Sequence, residues 1–255
     1  MTVSPSVPVR DALVLAAGNG DRFHNGSRQS KLLQPILGRP LIIRTLETAS
    51  AAGISAAEIV LGYQSESLRA AIEAGAPPGL QVQFSYNPDW HLENGVSVLA
   101  ARRSVGGRRF ALLMGDHLFE ADALARLLRT AADFEQSLLA IDSRPAPADI
   151  AAEATKVRTA GEQIVAIGKD LVEYDALDTG MFVCSPALFD ALETARTSGD
   201  TTLSGGIRQL AGRGLMRGVD IGNAAWYDID TMADLQHAES LLLETEESVL
   251  SAQSI

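Results

Sequence analysis

Apolar and polar residues are distributed along this chain in blocks of two kinds. Four short runs are apolar almost without interruption: 13–17, 58–63, 109–114 and Ser137–Asp142. Between them lie stretches in which apolar residues recur every three or four positions. The first kind reads as strands buried on both faces and the second as amphipathic helices. Leu41, Ile42, Thr45, Leu46 and Ala49 share one helical face, with Pro40 at the first helical position and Gly53 past the end. A second helix is expected over 65–73, and the Gly/Pro cluster at 75–79 turns the chain into a third strand over 82–85. A polar loop, 87–97, leads into an apolar helix around 98–101, and a further helix is expected over 120–130. Alternation at these lengths predicts a largely parallel sheet with helices on both faces, which binds ligands at the carboxyl ends of its strands.

The alternation breaks after Asp142. Two short β-like runs, 155–158 and 163–167, flank Ala160-Gly161-Glu162, a hairpin turn by composition, so the second half of the sheet is expected to be mixed, with a small β-hairpin lobe. A strand entered through Thr179-Gly180 follows. Ala225 to Thr231 reads as a short strand before a last helix, which Thr231 is placed to cap with Asp234 three residues on. One domain is expected over 11–245, between a loose arm, 1–10, and a Ser/Glu-rich flexible tail, 246–255.

Composition narrows the function. At 255 residues with 46% apolar side chains the chain can bury a sizeable core, and a net charge of −11 argues against a protein that works on a nucleic-acid backbone or an anionic membrane. The single cysteine, Cys184, lies in an apolar strand and fits a reducing cytoplasm. The first ten residues lack the apolar region of a signal peptide, and no run approaches the length of a membrane span.

With few basic residues, each can be weighed individually. Leu15-Ala16-Ala17-Gly18-Asn19-Gly20-Asp21-Arg22 is a strand ending in small residues and then a glycine loop, and Lys31 comes nine residues after Arg22. Exposed backbone N–H groups in such a loop form an anion site, which Arg22 and Lys31 can complete with positive charge. A P-loop is excluded because Lys31 comes too late and Leu32 follows it; a dinucleotide fingerprint is excluded because Phe23 replaces its third glycine. Asp116, directly after the apolar 109–114 strand, sits where a carboxylate does little for core stability and suits a hard cation such as Mg²⁺. Asp228 and Asp230 share one side of their strand by period two, and a cation between them would offset their repulsion. His117 is a weaker ligand for magnesium. Asn94, Gly95 and Ser97 are suited either to reading a base edge or to capping the helix they open.

Taken together, these motifs resemble the sugar-phosphate nucleotidyltransferases across 11–245. Within that superfamily, Met114-Gly115-Asp116-His117, Glu153-Ala154-Thr155-Lys156-Val157, Ile167-Gly168-Lys169-Asp170-Leu171 and Asp178-Thr179-Gly180 are similar to the CTP:inositol-1-phosphate cytidylyltransferases. The resemblance implies a Rossmann-like, GT-A-type fold that binds an NTP with Mg²⁺ and a phosphorylated polyol. Leu15, Ala16, Ala17, Gly18 and Gly20 would hold the nucleotide, with Arg22 and Lys31 on its phosphates. Asp116, Asp228 and Asp230 would hold the metal. Lys169 would meet the acceptor phosphate, Asp178, Thr179 and Gly180 would line the acceptor pocket, and Asn94, Gly95 and Ser97 would face the base. Two departures stand out: Ser30 replaces the usual proline before the loop lysine, and 23–29 look inserted. The resemblance also implies a downstream membrane phosphotransferase, expected to be a separate chain, and leaves room for a homodimer. Rival readings are a related enzyme using GTP or UTP with another cyclitol or sugar phosphate, a GT-A glycosyltransferase, and a nucleotide sensor. The glycosyltransferase would want Asp-x-Asp where this chain has Asp116-His117-Leu118.

Overall fold

The computed structural model describes the backbone of residues 8–23 and 29–252, and their side chains except those of Arg22, Asp149 and 244–252. Residues 1–7 of the expected arm and most of the 23–29 stretch lie outside the described residues. Val9 is buried and the Arg10 carbonyl accepts from Ser55 and Ala56, so the ordered domain reaches into the expected arm.

Strand β1 (Asp11–Ala16) leads through the glycine loop to a two-residue ladder, β2 (Pro35–Ile36) with β3 (Arg39–Pro40), and to helix α1 (Leu41–Ala51). Strand and helix then alternate: β4 (Ala56–Leu61), α2 (Ser65–Gly75), β5 (Gln81–Tyr86), α3 (Asn94–Ala100), α4 (Arg102–Val105), β6 (Phe110–Met114), β7 (His117–Phe119), α5 (Ala121–Thr130) and β8 (Ser137–Asp142). Beyond lie α6 (Ala148–Glu153), the hairpin β9 (Lys156–Ala160) and β10 (Gln163–Gly168), and β11 (Ala176–Cys184). The chain continues with α7 (Ala187–Thr197), α8 (Leu203–Gly212), β12 (Met216–Asp220), β13 (Trp226–Asp228) and α9 (Met232–Ala252).

Among the described residues nine strands form one sheet in the order β5-β4-β1-β6-β11-β8-β12-β10-β9. The first four are mutually parallel. β11 runs antiparallel to both β6 and β8, and β9–β10 is the expected hairpin. Both faces are covered, which is why the central strands read as unbroken apolar runs. In β1, Val14 and Ala16 face a cluster that includes Ile42 of α1 and Leu124 of α5, whereas Leu13 and Leu15 face Val98 of α3 and Ile207 of α8.

Three boundaries differ from the sequence reading. α3 begins at Asn94, inside the expected polar loop. β11 starts at Ala176, so Asp178, Thr179 and Gly180 lie within the strand, at a break in its register with β8 between Asp178 and Phe182. α9 continues past Thr245, because helical backbone extends through the Ser/Glu-rich segment expected to fray.

Candidate active site

Backbone hydrogen bonds tie the glycine loop to the carboxyl ends of the parallel strands. The Leu15 carbonyl accepts from the Gly115 N–H at 2.9 Å, and the Ala17 carbonyl from that of Tyr63 at 2.9 Å. Gly115 must lack a side chain, since a Cβ there would stand 2.7 Å from the Leu15 oxygen. Ala16 and Ala17 are buried beneath the loop, and Gly18 has open space around it. Gly20 has φ +64°, and a Cβ on it would crowd the Lys31 stem at 3.1 Å. Arg22 lies in the short 3-10 turn Asp21–Phe23, and its side chain is outside the described residues.

Lys31 opens a second 3-10 turn, Lys31–Leu33, whose first residues are fixed by the Ser30 hydroxyl accepting from Leu32 and by Ser30 N–H donating to Gln64 Oε1. The Lys31 side chain is buried, and its Nζ donates to Asp116 Oδ2 at 2.8 Å and to Asp230 Oδ1 at 3.2 Å. Burial pulls its pKa down, but the Asp116 carboxylate, followed by Asp230 and Asp228, outweighs this and holds it above the ordinary lysine value. The ammonium therefore keeps its charge between two carboxylates far apart in sequence.

Asp228 ends β13, which pairs with β7 so that Asp228 stands opposite His117. His117 Nε2 is 3.3 Å from Asp228 Oδ1, and Nδ1 is 3.2 Å from the Thr179 carbonyl oxygen. Both neighbours are pure acceptors, so the ring is held as a double donor. Burial would lower its pKa, but Asp228 above all, with Asp116 and Asp178, lifts it to about 9. Asp230 lies beyond the end of β13, and the expected period-two strand does not carry both carboxylates. Asp230 is placed instead by its N–H donating to Asp234 Oδ2, which also accepts from Thr231 N–H and Oγ1 while Thr231 Oγ1 accepts from Asp234 N–H: the expected cap of the last helix. One ligand atom each from Asp116, His117 and Asp228 lies within 4.8 Å of the others; with both ring nitrogens donating, the carboxylate oxygens are the atoms left to hold a metal ion.

Across from these, the β11 irregularity is built from its own polar groups. Asp178 Oδ1 accepts from the Gly180 N–H at 2.8 Å, and Thr179 Oγ1 donates to the Ala140 carbonyl at 2.8 Å. Gly180 has φ +76°, and a Cβ there would overlap the His117 ring. Burial is the main reason that the Asp178 pKa rises to about 6; the Gly180 N–H and His117 oppose the rise, and Asp228 adds to it. Lys169 is exposed just after β10, its carbonyl accepting from Lys156 Nζ at 2.6 Å.

A family model described as the MobA-like NTP transferase domain matches residues 12–213. The chain belongs to that family. The bifunctional IPC transferase and DIPP synthase of Rubrobacter xylanophilus is 38% identical over 236 residues, covering 91% of this chain and 52% of that protein. The CMP-5'-(3-aminopropyl)phosphonate synthase of Streptomyces rubellomurinus is 32% identical over 254 residues, covering 92% of this chain and 39% of that protein. The chain spans about half the length of the curated relatives it matches, or less. Among solved structures, the inositol-1-phosphate CTP transferase from T. maritima superposes with a TM-score of 0.82 at 25% identity, over 94% of this chain and 98% of that one. The expected Rossmann-like, GT-A-type nucleotidyltransferase fold is the fold observed.

In this MobA-like NTP transferase the side chains expected to face the base are anchored within the protein. Asn94 Oδ1 accepts from the Leu203 N–H at 2.8 Å, and the buried Ser97 Oγ accepts from Asn87 Nδ2 at 3.0 Å. A Cβ on Gly95 would lie 2.6 Å from the Thr201 carbonyl oxygen. Asn94 thus takes the first N–H of α8, whose N-cap is Thr202, while Glu93 holds the N-cap position of its own helix. Two features escaped the sequence reading. His117, ranked low as a magnesium ligand, is bound to both the carboxylate strand and β11. Asp142, at the carboxyl end of β8, accepts from Trp226 Nε1 at 2.9 Å and from Arg144, fixing β13 from outside; Trp226, two residues before Asp228, was its available signal. Among the described residues no helix is long and apolar enough to cross a membrane.

Proposed function

We propose that this MobA-like NTP transferase moves a cytidylyl group from CTP to inositol 1-phosphate, releasing pyrophosphate and forming a CDP-polyol. The observation that carries the reading is Lys31 held between Asp116 and Asp230 at the carboxyl ends of the parallel strands, beside the glycine loop and opposite the Asp178–Gly180 bulge. A cation, metal-competent carboxylates and a backbone anion site in one place suit a polyphosphate. The names of the Rubrobacter relative and the T. maritima structure support the inositol phosphate acceptor, and the CMP-phosphonate product named for the Streptomyces relative supports the cytidine nucleotide.

The acceptor is already a nucleophile at neutral pH. One of its phosphate oxygens attacks the α-phosphorus, the bond from that phosphorus to the bridging oxygen breaks, and the electron pair leaves with pyrophosphate. No proton transfer is required, so the chain's task is alignment and charge stabilisation. In this reading Gly18 and Gly20 present backbone N–H groups to the triphosphate. Arg22 and Lys31 counter the charge on the leaving group, the Lys31 ammonium having one donor beyond the two its carboxylates take. Lys169 meets the acceptor phosphate, and Asp178, Thr179 and Gly180 form the wall of its pocket. Asn94, Gly95 and Ser97 shape the base end. The donor set suits Mg²⁺: oxygen ligands would come from Asp116 and Asp228, which lie within 4.8 Å of one another, and from Asp230, which shares the Lys31 ammonium with Asp116. Bound there, Mg²⁺ would neutralise phosphate oxygens and stabilise developing charge. The CDP-polyol would be consumed by a phosphotransferase.

Pyrophosphate release from the four NTPs, each tested with inositol, cyclitol, hexose and aminoalkyl phosphates or phosphonates, tests the reading. CTP with inositol 1-phosphate is expected to give the highest kcat/KM. Turnover of a different pair with that one inert would overturn the substrates and leave the reaction class; a chain that releases no pyrophosphate would overturn both.

A further inference from the structure

His117 has no part in the mechanism above, yet its side chain is largely enclosed by the site, 12% exposed. Its ring stands between two elements that the fold brings in from opposite sides. Nε2 meets Asp228 on β13, and Nδ1 meets the Thr179 carbonyl on β11. Its own backbone is pinned as well: His117 pairs with Asp228 across β7 and β13, and its carbonyl accepts from the Thr45 hydroxyl of α1 at 3.2 Å. The socket is built for an imidazole. Gly180 takes a left-handed φ of +76°, and any side chain there would occupy the ring's place; Met114 also borders the glycine, with its Cγ 3.1 Å from where a Cβ would stand. The Thr179 carbonyl is itself fixed, because the Thr179 hydroxyl is bonded to Ala140 and Asp178 closes on the Gly180 N–H.

We propose that His117 is a positioning residue that spans the site, one ring nitrogen orienting the Asp228 carboxylate toward the cation and the other holding the Thr179–Gly180 wall of the acceptor pocket. The proposal rests on the reading of those two elements given under Proposed function. A carboxylate that ligates a metal is normally oriented by a hydrogen bond to its second oxygen, and losing such a partner typically costs about 10–100-fold in metal affinity. No other single side chain among those described bonds both elements, so His117 makes the cation edge and the acceptor wall move as one.

The test uses the full chain with Mn²⁺ as the probe. Free Mn²⁺ is followed by electron paramagnetic resonance, without nucleotide or acceptor, so its outcome does not depend on substrate identity. His117→Gln, whose amide cannot reach both partners, is expected to weaken Mn²⁺ about tenfold. Gly180→Ala is expected to do the same by displacing the ring, and the double variant to lose no more than the weaker-binding single one. Spin-echo modulation of wild-type Mn²⁺ should show no directly coordinated nitrogen, a measurement that needs no variant to fold. At saturating Mn²⁺, His117→Gln should raise the KM for inositol 1-phosphate about tenfold and leave the KM for CTP within twofold. Directly coordinated nitrogen would make His117 a ligand and overturn the proposal. So would wild-type protein that binds no Mn²⁺, unchanged Mn²⁺ affinity in His117→Gln, additive losses, or a fall in melting temperature with both KM values unmoved. If wild type does not turn over CTP with inositol 1-phosphate but the Mn²⁺ results hold, the substrate reading fails and the Asp228 half of the proposal stands.

Discussion

Two ion pairs of the same length stand at opposite ends of the same pair of strands. Arg108 and Asp11, at the amino ends of β6 and β1, meet at 2.8 Å; Lys31 and Asp116, at the carboxyl ends, also meet at 2.8 Å. The arginine is 66% exposed and the lysine 8%. Water already solvates the first pair, so its formation adds little to stability. The second pair has lost much of that solvation and recovers it only through Asp116 and Asp230 together. Distance alone does not distinguish a surface contact from a site; the surroundings of the charge do.

Removing the central carboxylate should have the largest effect. Asp116→Ala is expected to lose turnover by a factor on the order of 10³, with melting within a few degrees of wild type. Substantial magnesium-dependent pyrophosphate release in that variant would break the contrast between the two ends.

Lys31→Met removes the cation and leaves Asp116 and Asp230 facing one another. In EDTA it should cost about 2 kcal/mol in urea unfolding, below the roughly 3–5 kcal/mol of a fully buried pair because both carboxylates remain partly solvated. Added Mg²⁺ should recover part of that loss, and should stabilise the variant more than it stabilises wild type.

Asp178→Asn tests whether the site is held against stability. The folded pKa, about 6, lies above the unfolded value of 3.8, so the favourable contribution of the protonated form is full below pH 3.8 and lost as pH rises through 6. The amide keeps an acceptor for the Gly180 N–H and never ionises. At pH 8 the metal-free variant should therefore be more stable than wild type by up to about 3 kcal/mol, and equal to it near pH 3.5, while binding acceptor less well. Urea titrations at the two pH values measure this directly.

Arg108→Gln should be the mildest change, within about 1 kcal/mol of wild type, and its effect should vanish in 0.5 M salt. A loss comparable to that of Lys31→Met would mean that exposure is not what separates the two pairs.

The parallel half of the fold was legible because burial on both faces leaves strands such as Phe110–Met114 as bare apolar runs. The hairpin was legible from Ala160-Gly161-Glu162, and the last helix from Thr231 and Asp234. The start of β11 was not, since Thr179-Gly180 looks like an entry turn and the irregularity around it depends on a left-handed glycine and a register break with β8. Asp116 could be picked out by its place at the end of an apolar strand. That Lys31 would sit between Asp116 and Asp230 was beyond local reading, because the second partner is 199 residues away. His117 was set aside as a lone histidine for the same reason: its importance lies in the Thr179 carbonyl and Asp228, contacts made by tertiary structure alone. The anchoring of Asn94 on Leu203 likewise depends on α8, whose contact with it spans 109 residues of sequence.

The antiparallel strand β11, which closes the edge of β6, has a further consequence during synthesis. A ribosome delivers this chain amino end first, so β5, β4, β1 and β6 can pair once Met114 has emerged. The outer edge of β6 then waits for β11, which begins about sixty residues later. Throughout that interval a fully apolar strand presents unpaired backbone N–H and C=O groups, the arrangement most open to pairing with another nascent chain. Arrest of translation between residues 114 and 176 should therefore yield the most aggregation-prone species this protein passes through.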